Sequence, residues 1–155
     1  MKNELLLSTL IASTLLLSSQ AGATQTTGTA NFNLVYPITV TEATAMEFGD
    51  IDISIDGTCA LDYANATTGA NCIAGGATAA SGDFIITAAN GIVNITLSGA
   101  DTSVAGVTFT PTIASSTVTV AANTASLKVG GTLAVVAASA SAGAHALSYT
   151  VDVIY

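Results

Sequence analysis

Apolar and polar residues alternate along much of the chain, most regularly in one run near the N-terminus and one at the C-terminus. In the first run the apolar positions of one parity are Phe32, Leu34, Tyr36, Ile38 and Val40. In the last run they are Leu147, Tyr149, Val151, Val153 and Tyr155. A period of two places alternate side chains on the same face of a strand. Both runs therefore predict β-strands with one buried and one solvent-facing side.

Shorter apolar runs between these two predict further strands. They cover residues 48–55, 83–88, 92–97, 104–110, 117–121 and 127–137, and are separated by glycine, asparagine and serine. The alanine-rich stretch 134–146 is not predicted to be helical, because it lacks charge pairs four residues apart and contains Gly143. About eight short strands predict an all-β fold, an antiparallel immunoglobulin-like β-sandwich, with a closed barrel as the alternative.

The first 23 residues have the composition of a secretory signal peptide. Lys2 precedes an apolar run at 5–17, and Ala21 and Ala23 are the small residues expected before a cleavage site. That run is shorter than the ~20 residues needed to span a bilayer. The predicted organisation is a signal peptide at 1–23, a flexible polar arm at 24–29 and a single sandwich domain at 30–155. We expect a secreted protein, in the periplasm in transit and finally extracellular or on the cell surface, without membrane insertion after cleavage.

Composition narrows the class of function. The chain has 2 Lys+Arg against 10 Asp+Glu and a formal net charge of −8, so it lacks the cationic surface that nucleic-acid binding requires. His145 is the only histidine. A serine triad with His145 and Asp152 would lack the nucleophile elbow of the hydrolases. We therefore expect neither an enzyme nor a cofactor.

Two groups of residues suggest specific chemistry. Cys59 and Cys72 are the only cysteines. In an exported protein they favour a disulfide over a metal pair, which would also lack further ligands. The acidic row Asp50, Asp52 and Asp56 offers oxygen atoms to calcium, although it lacks the distal glutamate of the calcium-loop pattern and fits a solvated strand face better. Calcium binding by this row is left open.

The first alternating run has features that bear on assembly. Pro37 cannot donate a hydrogen bond to a ladder, which predicts an edge strand or a bulge. An edge strand preceded by a flexible arm can complete the open sheet of a neighbouring molecule. Residues 24–41 are therefore a candidate donor strand. Pairing within the same chain would produce the same alternation, so pairing in cis and in trans both remain open.

The order of the motifs resembles a secreted bacterial family, domain of unknown function 4402. The first strand leads into Phe48-Gly49-Asp50-Ile51, and Val129-Gly130-Gly131-Thr132-Leu133 comes later, before Gly143 and the closing strand. This resemblance covers nearly the whole mature chain and implies a pilin-like sandwich with an extracellular structural role. More loosely, the chain is similar to chaperone-usher pilus subunits, which carry a glycine twelve residues before a penultimate tyrosine. Gly143 and Tyr155 have that separation, but Tyr155 is the last residue.

We therefore expect an exported structural subunit of a pilus-like or fimbrial surface filament. It would form a homopolymer by strand exchange, with residues 24–41 as donor and with Gly143 and the C-terminal strand in the assembly surface. A periplasmic chaperone or an outer-membrane assembly protein would be a further partner. The alternative is a monomeric secreted or surface binding and adhesion module, for which Tyr63 is the aromatic residue outside the predicted core.

Overall fold

The computed structural model describes residues 24–155, so the predicted signal peptide at 1–23 lies outside the described residues. Residues 34–155 belong to one compact unit. Residues 24–33, which include the predicted arm, belong to a second unit, where they are exposed and form no strand. Among the described residues, no helix has the length and apolar character that crossing a membrane requires.

Nine β-strands make up the regular structure of residues 24–155, and all of their pairings are antiparallel. The strands are β1 Thr39–Thr44, β2 Gly57–Leu61, β3 Thr67–Thr68, β4 Gly82–Thr87, β5 Gly91–Ser98, β6 Val107–Ile113, β7 Thr117–Val120, β8 Thr124–Val135 and β9 Thr150–Ile154. The prediction of an all-β fold is confirmed, and the alanine-rich stretch is not helical.

The strands form two sheets. The larger has six strands in the order β1-β4-β8-β2-β3, with β6 also paired to β8, and the smaller has the order β7-β5-β9. The long strand β8 organises the larger sheet. Its residue Val129 pairs with both Gly82 of β4 and Ile113 of β6, so β4 and β6 lie on opposite edges of β8. Beyond that point β2 replaces β4 as the neighbour of β8.

The hydrophobic core lies between the two sheets. The larger sheet contributes Ile86, Leu127 and Val129, and the smaller contributes Val93, Ile95 and Val120, all at most 5% exposed. Burying apolar faces of this kind is the main favourable contribution to folding. The two sheets therefore pack as an antiparallel sandwich rather than as a closed barrel. The finer assignment of an immunoglobulin-like topology stays a prediction.

Of the eight predicted runs, six overlap a strand along most of their length, and the first run overlaps β1 only at residues 39–40. Residues 48–55 form no strand. Only a single bridge, Ile51 to Cys72, is found there. The segment is held to the loop that follows β3 instead: Asp52 N donates to Asn71 O (2.8 Å), and Ile73 N donates to Asp50 O (3.2 Å). Alternation in this segment thus reflects loop pairing, and the proposed common face of its acidic row does not exist as a strand face.

Strands β2 and β3 were not among the predicted runs. Their sequences, GTCAL and TT, contain few large apolar residues, so they carry no alternating pattern of sufficient length. The predicted disulfide between Cys59 and Cys72 is confirmed, with a Cα–Cα distance of 5.0 Å. It joins the centre of β2 to the loop after β3.

Candidate assembly interface

Both sheets end on the same side of the sandwich. Strand β1 is the terminal strand of the larger sheet and pairs with β4, whereas β9 is terminal in the smaller sheet and pairs with β5. Strands β4 and β5 are consecutive, joined by a short turn at 88–90, and face each other across the core. Within residues 24–155, the outer edges of β1 and β9, here named the open side, have no partner strand. Unpaired edges of this kind are places where another strand can add.

The C-terminal run forms most of one side of this open region. Val151 and Val153 pair with Leu97 and Ile95 of β5 and pack against the core. Tyr155 lies just beyond the end of β9 and is 54% exposed. Leu147 is half-buried ahead of the strand. The structure thus places Val151 and Val153 within β9, Leu147 ahead of the strand and Tyr155 just beyond it.

Gly143 lies outside β9, in the segment that precedes it. Its φ of +145° favours glycine, and a Cβ built there would have only the His145 ring within 4 Å, at 3.8 Å. The His145 Nε2 is 2.9 Å from the carbonyl oxygen of Ser141. These contacts are local to the loop, so Gly143 is a turn residue and not a member of the strand edge.

Tyr149 lies one residue ahead of β9 and packs against the core. Its ring makes edge-to-face contacts with Phe84 and Phe109, at centroid distances of 6.0 and 5.7 Å. Its hydroxyl is buried and makes no hydrogen bond with any part of the chain that the structure describes. Burial, and secondly the charge of Glu42 on β1, raise the pKa of Tyr149 to about 12. A side chain at Gly82 would collide with this hydroxyl, so the glycine makes room for it.

The N-terminal run divides into two parts with different surroundings. Ile38 and Val40 pack against the core of their own chain, and Val40 pairs with Ile86 of β4. Phe32 and Leu34 are 80% and 86% exposed. The strand begins only at Thr39, so the predicted strand over the whole run is wrong for residues 32–38.

The reason for the division is the end of β4. Thr39 pairs with Thr87, the last residue of β4, and the chain then turns at 88–90 into the other sheet. Residues ahead of Thr39 therefore run past the end of their partner strand. Pro37, which has no N–H to donate, stands at this point.

Two polar side chains hold the C-terminal run in place through hydrogen bonds to the backbone. The Tyr155 hydroxyl donates to the carbonyl oxygen of Tyr36 and accepts from Ala89 N (3.1 Å). The Asp101 carboxylate accepts from Ser148 N (2.7 Å) and Ser103 N (2.8 Å). These backbone hydrogen bonds, that of Ser148 first, lower the pKa of Asp101 to about 2. Sequence reasoning missed Asp101, because its contact with Ser148 joins residues 47 positions apart.

The acidic row is distributed over separate contacts. Asp50 accepts from Ala77 N (3.0 Å), Asp52 from Ser54 N (2.8 Å) and Asp56 from Ala137 N (2.7 Å). Within residues 24–155, no three potential metal-ligating side chains come together. The row therefore stabilises loops through backbone hydrogen bonds. What the open side offers chemically is unpaired backbone and exposed apolar surface.

Comparison of the chain with protein-family models, with curated proteins and with solved structures finds no match in any of the three.

Proposed function

We propose that this protein is an exported structural subunit of a pilus-like or fimbrial filament, which polymerises when the N-terminal segment of one copy adds to the open side of the next. The observation that carries the proposal is the exposure of Phe32 and Leu34, at 80% and 86%, together with an outer edge of β9 that no strand among residues 24–155 pairs with. Similarity to the pilin-like family 4402 belongs to the same proposal.

The structure supports a shorter donor than residues 24–41. Ile38 and Val40 are already packed in their own subunit, so they are not free to serve a neighbour. Within the N-terminal run, the exposed apolar side chains all lie ahead of Pro37. The donor that we propose is therefore residues 24–36. Alternate side chains of an added strand fill pockets while its backbone satisfies the receiving edge.

Energetics favour covering this segment. Burial of one large apolar side chain stabilises by about 1.5–3 kcal/mol, so covering Phe32 and Leu34 offsets part of the cost of ordering the segment. The buried Tyr149 hydroxyl, just ahead of β9, also has no hydrogen-bond partner within residues 24–155. A periplasmic chaperone or outer-membrane assembly protein would act by covering the same surfaces before polymerisation.

The experiment begins with the full 155-residue sequence expressed in a host with an oxidising periplasm. The exported protein is examined by size exclusion and negative-stain electron microscopy, and fibres or ladders resistant to detergent are expected. The double variant Phe32→Asp/Leu34→Asp should remain monomeric with an unchanged melting temperature, because both side chains are exposed in the single subunit. Ile92→Asp, a matched change at a 65% exposed position of β5, should still assemble.

A second control separates stability from assembly. The double variant Cys59→Ser/Cys72→Ser removes the disulfide and should lower the free energy of unfolding by about 3 kcal/mol. It leaves the donor segment and the β9 edge unchanged, so filaments should persist below its melting temperature. The proposal is wrong if the unmodified protein stays monomeric at all concentrations, or if Phe32→Asp/Leu34→Asp assembles as well as Ile92→Asp.

The second candidate function is a monomeric binding and adhesion module at the cell surface. The observation in its favour is a pocket beside Tyr63, away from the open side of the sandwich. A stable monomer in the first experiment would favour this binding function over the filament function.

A further inference from the structure

A small pocket lies on the outer face of the larger sheet, beside the loop that joins β2 and β3. Its volume is about 180 Å³. The side chains used below are Asp62, Tyr63, Thr68, Thr112 and Thr132, all of which line it. None of them belongs to the proposed donor or to the edges of β1 and β9, so the pocket is independent of the assembly interface.

The register of the sheet places the threonines on one face. Thr132 of β8 pairs with Ala60 of β2, which in turn pairs with Thr68 of β3. Thr112 of β6 pairs with Gly130, two residues before Thr132, and so lies on the same face. The opposite face of these strands points into the protein, where Phe109, Leu133 and Cys59 are buried. The threonine hydroxyls therefore face outward.

Gly130 makes room for the aromatic wall of the pocket. A Cβ built at this glycine would collide with the Leu61 carbonyl and would lie 3.4 Å from the Tyr63 ring. The absence of a side chain lets the Tyr63 ring lie close to the sheet. Tyr63 is half-buried there and presents the rest of its ring to the pocket.

The loop that carries Tyr63 is held in place by hydrogen bonds. Asp62 Oδ1 accepts from Ala64 N and Ala66 N, both at 2.8 Å, and Asp62 N donates to Ala66 O (3.0 Å). Asn65, with a φ of +67°, accepts from the backbone N (2.7 Å) and hydroxyl (2.9 Å) of the buried Ser81. The aromatic wall is therefore ordered before any ligand binds, which lowers the entropic cost of binding.

The lining selects for a ligand with one apolar face and several hydroxyl groups. The Tyr63 ring supplies an apolar surface, and Thr68, Thr112 and Thr132 supply hydroxyl groups to the lining. Asp62 uses one carboxylate oxygen within the loop and keeps Oδ2 available. A carboxylate in a lining without Lys or Arg disfavours anionic ligands such as phosphates.

We propose that this pocket binds one neutral sugar ring, stacked on Tyr63 and hydrogen-bonded to Asp62 and the threonines. The volume limits the ligand to a single ring, since it is below the roughly 300–1,000 Å³ typical of sites for drug-sized molecules. The C–H face of a pyranose packs on the Tyr63 ring. The sugar hydroxyl groups donate to the Asp62 carboxylate, and they donate to or accept from the threonine hydroxyls.

The test is saturation-transfer NMR on the exported protein with methyl α-mannopyranoside, methyl β-galactopyranoside and N-acetylglucosamine as probes. At least one probe should receive saturation, and the bound sugar should compete with an immobilised glycan ending in the same residue. Tyr63→Ala should weaken binding about tenfold or more, as expected for the loss of an aromatic anchor, whereas Tyr63→Phe should keep most of it. Ile73→Ala, at an exposed position outside the pocket, should bind as the unmodified protein does.

Thr112→Val provides a second variant that does not depend on the loop. It removes one hydroxyl at nearly constant shape on an exposed position of β6, so weaker binding with an unchanged melting temperature is expected. The inference is overturned if none of the three probes receives saturation, or if Tyr63→Ala and Thr112→Val both bind with unaltered affinity. Filament formation by all these variants should be normal, so failure here is distinct from failure of the filament proposal.

Discussion

The two ends of the described chain carry nearly the same pattern and have different structures. Each has five apolar residues on one parity, from Phe32 to Val40 and from Leu147 to Tyr155. In the C-terminal run, Val151 and Val153 pair with β5 and pack on the core. In the N-terminal run, the residues ahead of Thr39 form no strand.

The difference shows that alternation specifies a face but not a partner. A strand needs a neighbour of sufficient length in the right register before its apolar face is buried. Strand β5 is long enough to pair with all of β9, from Ser98 to Asn94. Strand β4 ends opposite Thr39, so Phe32 and Leu34 have no partner strand among residues 24–155.

The largest expected difference in stability is between two variants that each place a charge in one of the runs. Val153→Asp puts a carboxylate against the core and should lower the free energy of unfolding by about 3 kcal/mol. Leu34→Asp changes an 86% exposed side chain and should alter it by less than about 0.5 kcal/mol. Urea denaturation at a concentration where the protein is monomeric measures both. Equal destabilisation by the two variants would show that Leu34 is packed in the free subunit.

A smaller effect is expected from the hydrogen bond that joins the two runs. Tyr155→Phe removes the bonds to Tyr36 and Ala89 and should lower the free energy of unfolding by about 1 kcal/mol. Because Tyr36 is the last residue of the proposed donor, its release should also speed filament growth, measured by light scattering. Tyr63→Phe is the matched control and should change neither quantity. Slower growth of Tyr155→Phe filaments would mean that the bond supports assembly instead.

The smallest effect is a pH dependence at the start of the C-terminal run. The pKa of Asp101 is lowered from 3.8 to about 2 by its hydrogen bonds, chiefly that with Ser148. Above 3.8 the group is ionised in both the folded and the unfolded chain, so its contribution to stability is complete. As pH falls from 3.8 through 2, the unfolded chain takes up the proton first and this contribution is lost. Asp101→Asn should therefore flatten the fall in melting temperature over this interval, and an unchanged pH profile would contradict the assignment.

Much of the fold was predictable because its strands follow the period-two rule. Strands β4, β5, β7 and β8 lie close to predicted runs, since each alternates across one buried face. Residues 48–55 alternate as well but form a loop, because their backbone groups pair with residues 71–77 and their carboxylates bond nearby amides. A local pattern does not distinguish a strand from a loop that pairs in this way. Strands β2 and β3 are the opposite case, because their backbones are paired as strands but their sequences show little alternation of apolar and polar residues.

The candidate assembly interface and the Tyr63 pocket were predictable to different extents. The apolar positions that face the core in the C-terminal run follow from parity alone. The division of the N-terminal run does not, since it depends on where β4 ends. The pocket depends on Gly130, Thr112 and Tyr63 meeting across three separate parts of the chain. Sequence showed Tyr63 as an aromatic residue outside the core pattern, without indicating what surrounds it.

By itself, the sequence determined the all-β class, the cysteine pair and the face that each alternating strand turns inward, because these follow from the hydrophobic period and from a composition with two cysteines. The tertiary structure decided which strands become neighbours, where each ladder ends and which side chains meet across distant segments. Those properties depend on backbone pairing between residues far apart in the chain. A repeating pattern shared by nearly all the strands carries no information about which two of them pair.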